Sequence, residues 1–325
     1  MGHLENRPPL DAVVMAGGLC KWRGLKQINK NLLKVRGKPL FYHALSALMQ
    51  ADRFRRIYVV GPKSVIENEI SKAGGRFPKE VVVLQEADSL VNNLMLAFRD
   101  SVGAKNDKDL ENPEIAERAI FAVSGDAPLL TTDEVGQFLD NCDLGKYDYC
   151  IGMTPDTVLA HYRTKGLKLG ISLAYVHFVE GNLRVNNMHL AKPLKIKNRQ
   201  DLDEFYKIRH LKKIKNIFAL ALGLYKRNMG FRDWVGLLRM YLAMWSGKGG
   251  LKGLASRLST DITYTRVEDV VSHFLGARVK MVVTTLGGAA VDVDKPGNLR
   301  VIGKRYDEWM ALQKRFAEGI RKNGI

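Results

Sequence analysis

Between residues 11 and 150, short apolar runs alternate with amphipathic segments, and few architectures accept that rhythm. Ala12-Val13-Val14-Met15 reads as a buried strand that runs into a glycine-bearing loop. Leu40 to Met49 carries apolar residues at helical spacing, and Arg56 to Val60 is the next strand, ending at Gly61-Pro62. A helix over Val65 to Ala73 follows, with Ser64 placed to cap it, then a strand over Val81 to Leu84 and a helix from Ser89 to Val102. Gly103 to Pro113 is polar and reads as a solvent loop. Ala119 to Val123 is a strand, Thr132 to Cys142 a helix and Tyr147 to Met153 a strand. Strands separated by helices at this spacing are joined by crossovers rather than hairpins. The expected fold class is therefore α/β, a mainly parallel sheet flanked by helices on both faces.

Beyond about residue 155 the texture changes. Ala174 to Phe178 and Leu183 to Leu190 read as two strands joined by the turn Glu180-Gly181-Asn182. Residues 199–265 read as helical and basic, Val279 to Thr284 as the final strand, and Lys304 to Lys322 as a closing helix. The simplest organisation is one α/β domain built from 1–198 and 266–325 and interrupted by a helical insertion over 199–265.

The first strand empties into Ala16-Gly17-Gly18, followed by Lys21, Arg23, Gly24 and Lys30 and then by Gly37-Lys38-Pro39-Leu40. Paired glycines let backbone N–H groups approach phosphate oxygens, and nearby cations neutralise a polyphosphate. Neither the Walker pattern G-x-x-x-x-G-K-[ST] nor the dinucleotide pattern G-x-G-x-x-G occurs there. A tight turn with surface lysines is the competing reading of the glycines taken alone. The strand at 119–123 ends in Ser124-Gly125-Asp126-Ala127-Pro128, which puts a carboxylate where α/β sheets place ligands. Late in the chain, Asp292-Val293-Asp294-Lys295-Pro296 follows the final strand, and in an extended backbone its two acids share a face.

Met15-Ala16-Gly17-Gly18, Lys30 and Gly37-Lys38-Pro39-Leu40 together resemble the signature of the MobA-like and sugar-phosphate-type nucleotidyltransferases. Their fold is similar to the nucleotide-binding half of the glycosyltransferase-A architecture (nucleotide-diphospho-sugar transferase-like). The resemblance covers about 1–198 and 266–325. It implies an NTP substrate, CTP or GTP, a Mg²⁺ cofactor, and transfer of an NMP group to a phosphorylated acceptor with release of pyrophosphate. It also implies that Ala16, Gly17, Gly18, Lys21, Arg23 and Lys30 meet the nucleotide, with Lys30 acting in catalysis. Asp126 stands in the family's G-D-x-P context and is implied as a catalytic metal ligand. Asp294 resembles the carboxylate of the family's late D-x-D-T-P-E-D-L segment, with Asp292 as a further ligand or its partner. Ser89, Asn92 and Asn93 resemble the region that contacts base and ribose, a capping serine on a polar helix being the equal alternative. Arg184 and Asn187 resemble residues lining the acceptor side. Two departures stand out: the family arginine falls on Trp22, between Lys21 and Arg23, and the family Thr, Glu and Asp of the late segment become Lys295, Gly297 and Asn298.

Charge narrows the partner. The 325 residues carry 51 Lys and Arg against 34 Asp and Glu, a net +17, and 15 of the cations lie between Lys192 and Lys252 with only four acids. Such a balance expects a polyanion: an NTP, a phosphorylated small molecule or lipid precursor, or an acidic membrane surface. Within the insertion, Phe231 to Trp245 places Trp234, Leu237, Leu238, Tyr241, Leu242 and Trp245 on one helical face flanked by cations. That pattern fits a docked subdomain or an interfacial membrane anchor, and nucleic acid is the least favoured partner. Three cysteines, Cys20, Cys142 and Cys150, make no disulfide framework and the seven histidines show no zinc spacing. No leader-like run opens the sequence and Ile217 to Tyr225 is too short to span a bilayer, so a cytoplasmic location, at the inner membrane face if the insertion binds lipid, is expected. A glycosyltransferase using the D-x-D pair, or a nucleotide-binding scaffold without turnover, are the competing functions.

Overall fold

The computed structural model describes residues 9–22, 27–74, 77–208 and 262–323. Seven strands form the main sheet: β1 Leu10–Met15, β2 Phe54–Gly61, β3 Glu80–Gln85, β4 Ile120–Ser124, β5 Tyr149–Pro155, β6 Asn182–Ala191 and β7 Val279–Val283. Their order is β7-β5-β6-β4-β1-β2-β3, with a short strand, Val176–His177, paired on β6. β1 lies in the middle, parallel to β2 through Val14↔Val59 and to β4 through Val14↔Val123. Among the described strands of this sheet β6 alone is reversed: it runs antiparallel between β4 and β5 and against its short partner.

Alternation within β1 shows how the layers form. Ala12 and Val14 point to a core shared with helices α1 (Leu40–Gln50) and α4 (Thr132–Asp140), where Phe41, Leu45, Leu48, Phe121 and Phe138 are fully buried. Val13 points the other way, onto Ala97 and Phe98 of α3 (Leu90–Ser101). Successive strand residues face opposite sides, so a central strand covered on both faces reads as the continuous apolar run seen in the sequence. A third cluster joins Leu40, Leu129 and Tyr162 to Trp309 of α7 (Pro296–Asn323), the long closing helix.

Several expectations need correction. Ser64 does not cap a helix: α2 spans Lys63–Lys72, so Ser64 lies inside it, and the Lys63 amide is satisfied by Gln85 Oε1 at 3.1 Å. The strand expected over 174–178 shrinks to Val176–His177: Ala174 O accepts from Arg184 Nη1 at 3.2 Å and Phe178 O from the Gly181 amide at 3.3 Å. The closing helix begins at Pro296, eight residues before the expected start, since a proline in the first helical position is already set for the turn. The polar loop at 103–113 contains a short 3-10 turn, Lys108–Glu111. Of the segment read as an insertion, helix α5 (Arg199–Ile208) lies against α3, where the Val91 amide donates to Asp203 at 3.0 Å. Helix α6 (Tyr264–Leu275) lies beside β7. Residues 209–261, including the aromatic face at 231–245, lie outside the described residues. Among the described residues no helix is long and apolar enough to cross a membrane.

Candidate active site

The C-terminal ends of β1 and β4 are neighbours in the sheet, so the loops leaving them meet. Gly125 N donates to Met15 O at 2.9 Å, and Val293 N donates to Asp126 O at 3.0 Å, which stitches three distant segments at the main chain. The Gly-Gly loop is shaped by two asparagines that the sequence reading passed over. Asn29 Nδ2 donates to Ala16 O at 2.8 Å and Asn31 Nδ2 to Gly17 O at 3.1 Å. Asn29 Oδ1 also caps the 3-10 turn Lys30–Leu32, so the same pair fixes the loop and aims Lys30.

Lys30 reaches both Asp126 and, at 3.2 Å, Asp294. Burial alone would pull its ammonium down, but the Asp126 carboxylate, joined by Asp294 and Asp292, holds it above the ordinary lysine range. Ser124 Oγ donates to the other oxygen of Asp126. Asp126, Asp292 and Asp294 each present a carboxylate oxygen within 4.8 Å of the others. Opposite ligand oxygens of an octahedral Mg²⁺ stand about 4 Å apart, so a spread of this size is compatible with the three carboxylates holding one divalent ion. Hard oxygen donors with no sulfur or imidazole among them also suit a hard divalent cation of the Mg²⁺ kind. Asp126 and Asp292 are buried and Asp294 is exposed, so the cluster opens toward solvent on one side.

Asp292 is held from below. Arg184 Nη2 donates to its Oδ1 at 2.7 Å, Nε to Ala290 O at 2.9 Å and Nη1 to Ala174 O at 3.2 Å. Burial pushes the Asp292 carboxyl up, against the pull of Arg184. Asn187 Nδ2 donates to Ala289 O at 2.7 Å. Both residues come from β6 beside an irregularity in its register with β5, between Val185 and His189. There Asn186 fills space that a side chain on Gly152 would take, since a Cβ at Gly152 would stand 2.0 Å from Asn186 Oδ1. Arg184 and Asn187, expected on the acceptor side, are thus engaged with the backbone and carboxylate of the acidic segment.

At the Gly-Gly loop, Gly18 N donates to Glu86 Oε2 at 2.6 Å. A Cβ at Gly17 would meet that same oxygen at 2.1 Å, so glycine is what admits the carboxylate. Ser89 caps α3, its Oγ accepting from Asn92 N at 3.1 Å. Asn92 Nδ2 bonds Asp88 Oδ1 at 2.6 Å and Asn93 Oδ1 accepts from Ala87 N at 2.6 Å. These three residues shape the loop that carries Glu86. Trp22, at the position of the family arginine, is buried with Val35 and Leu40. Lys21 pairs with Gln27 through its backbone, and Arg23 lies outside the described residues.

Sequence reasoning missed Glu86, Asn29, Asn31 and Ser124. Ser124, two residues from Asp126 at the strand end, and Asn29 and Asn31, on either side of Lys30, carried a local signal; Glu86 is 68 positions from its partner.

Among solved structures, a hypothetical transferase from Thermus thermophilus superposes with a TM-score of 0.57 at 21% identity, covering 90% of this chain and 100% of that one. A 4-diphosphocytidyl-2C-methyl-D-erythritol synthase from Anaerococcus prevotii covers 92% of this chain and 98% of its own at 10% identity, with a TM-score of 0.45. A CMP:2-keto-3-deoxy-manno-octonic acid synthetase complexed with CTP covers the same shares at 11% identity and a TM-score of 0.45. The first is similar in fold alone, and the likeness to the other two is too loose to carry an argument. The family profile described as the MobA-like NTP transferase domain matches residues 12–168, which hold the Gly-Gly loop, Lys30 and Asp126. Over residues 12–168, just under half of its length, the chain is thus similar to the MobA-like NTP transferase domain.

Proposed function

We propose that the chain is a Mg²⁺-dependent nucleotidyltransferase that moves an NMP group from an NTP to a phosphorylated acceptor. An ionised phosphate oxygen of the acceptor attacks the α-phosphorus, the bond from that phosphorus to the bridging oxygen breaks, and pyrophosphate leaves with its electron pair. No protein base is required, because a phosphate acceptor is already ionised at neutral pH. The observation that carries this reading is the meeting of Asp126, Asp292 and Asp294 with Lys30 beside the Gly-Gly loop.

Asp126 and Asp294, with Asp292 as ligand or partner, would hold Mg²⁺, which supplies charge neutralisation to the phosphates in an in-line displacement. Lys30 stands beside these acids and would neutralise the α-phosphoryl oxygens. The amides of Gly17 and Gly18, with Lys21 or Arg23, would take the β- and γ-phosphates once Glu86 yields the Gly18 amide. Ser89, Asn92 and Asn93 fix the loop facing the Gly-Gly segment and so the wall against which base and ribose would rest. The basic stretch from 192 to 252 suits a phosphorylated small molecule or a lipid precursor as acceptor, at an acidic membrane surface in the second case.

Thermal shift with each of the four NTPs, with and without Mg²⁺, identifies the nucleotide, and a pyrophosphate-release screen over phosphorylated acceptors then identifies the second substrate. Asp126→Ala is expected to abolish release, by 10³-fold or more on the scale of losing a group that stabilises transition-state charge, with the fold retained. Wild-type turnover in that variant rejects the assignment.

A further inference from the structure

Thr131-Thr132-Asp133-Glu134 has the T-x-x-E spacing of a helix capping box. Half of the box forms: Thr131 Oγ1 accepts from the Glu134 amide at 3.3 Å. The other half does not. Glu134 leaves the helix end and buries its side chain completely, where Oε2 accepts from the Ala289 amide at 2.8 Å and Oε1 has no partner. A glutamate that gives up a solvent-exposed capping bond for a dry one breaks a local rule, and such breaks mark sites where something else is gained.

Ala289 sits in the 3-10 turn Gly288–Ala290, three residues ahead of Asp292. That turn is gripped by side chains from three elements. Gln313 of α7 accepts from Gly288 N at 3.1 Å, Glu134 of α4 accepts from Ala289 N, Asn187 of β6 donates to Ala289 O, and Arg184 of β6 donates to Ala290 O. Gly288 is closed on its remaining side, since a Cβ there would stand 1.9 Å from Leu129 O. The main chain then passes to Asp292, to Val293, whose amide is tied to Asp126 O, and to Asp294.

We propose that Glu134 is a positioning residue for the carboxylates Asp292 and Asp294, acting through its hydrogen bond to the Ala289 amide. The inference rests on the reading of Asp126, Asp292 and Asp294 as a divalent-cation site. Glu134 touches neither phosphate nor ion; it fixes where the acidic segment starts. Its surroundings are the Gly288 and Ala289 amides, the Thr284 hydroxyl and the Tyr162 phenol, with no cation among them. Burial pushes its carboxyl up to about 8, so the neutral acid is the form present at pH 7 and a glutamine reproduces it.

The test compares wild type, Glu134→Gln and Glu134→Met in nucleotide-free protein by calorimetric titration with Mn²⁺, alongside amide hydrogen exchange at 289–293 and thermal unfolding. Glu134→Gln keeps an oxygen for the Ala289 amide and is expected to bind Mn²⁺ within twofold of wild type. Glu134→Met fills the space without an acceptor and is expected to bind at least tenfold more weakly, with faster exchange at Ala289 and Val291. Should Glu134→Met not fold, Glu134→Asp, which keeps the carboxyl and shortens its reach, is expected to show the same loss. Equal Mn²⁺ affinity in wild type and the folded Met or Asp variant overturns the inference alone, as does a tenfold loss in Glu134→Gln. A wild-type protein that binds no Mn²⁺ removes the cation-site reading and the inference with it.

Discussion

Replacing Arg184 with methionine strips three donors from the segment beneath the acidic cluster. Asp292 Oδ1, Ala290 O and Ala174 O each lose a partner at 2.7 to 3.2 Å, and the side chains of the pair are only 12% and 7% exposed. Stranding one half of a buried ion pair costs about 3–5 kcal/mol, whereas removing both halves is far milder because no uncompensated charge stays inside. At about 2–4 °C per kcal/mol for a domain of this class, the midpoint of thermal unfolding should fall by roughly 6–20 °C. Urea unfolding followed by circular dichroism, in EDTA so that bound ions do not contribute, measures the loss directly. The double variant Arg184→Met with Asp292→Asn should recover more than half of it, and a cycle over the four proteins isolates the coupling. A single variant within about 1 kcal/mol of wild type, or a double variant no better than the single, refutes the claim that Arg184 supports Asp292.

Two further outcomes follow from buried or blocked carboxylates. Glu86→Ala frees the Gly18 amide and removes a negative charge from the phosphate side, so NTP affinity by calorimetry should rise about three- to tenfold, the range of a single hydrogen-bond donor released; weaker binding shows that Glu86 instead helps hold the nucleotide. Glu134, raised from the usual 4.5 to about 8, keeps its proton in the folded state after the unfolded chain has lost it, so its contribution is whole below pH 4.5 and drains away as pH climbs to 8. Relative to Glu134→Gln, wild type should therefore lose on the order of 5 kcal/mol over that window, and a gap that stays constant with pH contradicts the burial argument.

The layered fold was legible because β1 and its parallel neighbours are covered on both faces, so Ala12 to Met15 and Val123 carry the plain apolar signature of that environment. The Gly-Gly loop, Lys30, Asp126 and the late D-x-D pair were legible because each sits at a strand end or in a short motif. What stayed hidden is held together across long stretches of chain. Glu86 and Gly18 are 68 positions apart, Arg184 and Asp292 are 108, and Glu134 and Ala289 are 155. No window of local sequence contains either partner's reason for being there. Glu134 was doubly masked, since its spacing from Thr131 fits an ordinary helix start. Ser64 misled in the opposite sense: a good capping residue stood near the right place, but the side chain of Gln85 had already taken that task.

The one long strand that runs against the others has a mechanical corollary. Because β6 is reversed, its early residues lie level with the late residues of β4 and β5, so Arg184 and Asn187 reach the business end from inside the sheet rather than from a connecting loop. Loops fray at little expense, whereas β6 is laddered to β5 on either side of its irregularity and to β4 over Met188–Ala191, so moving it means breaking those ladders. The spacing of the acids is thereby coupled to the sheet rather than to a connecting loop.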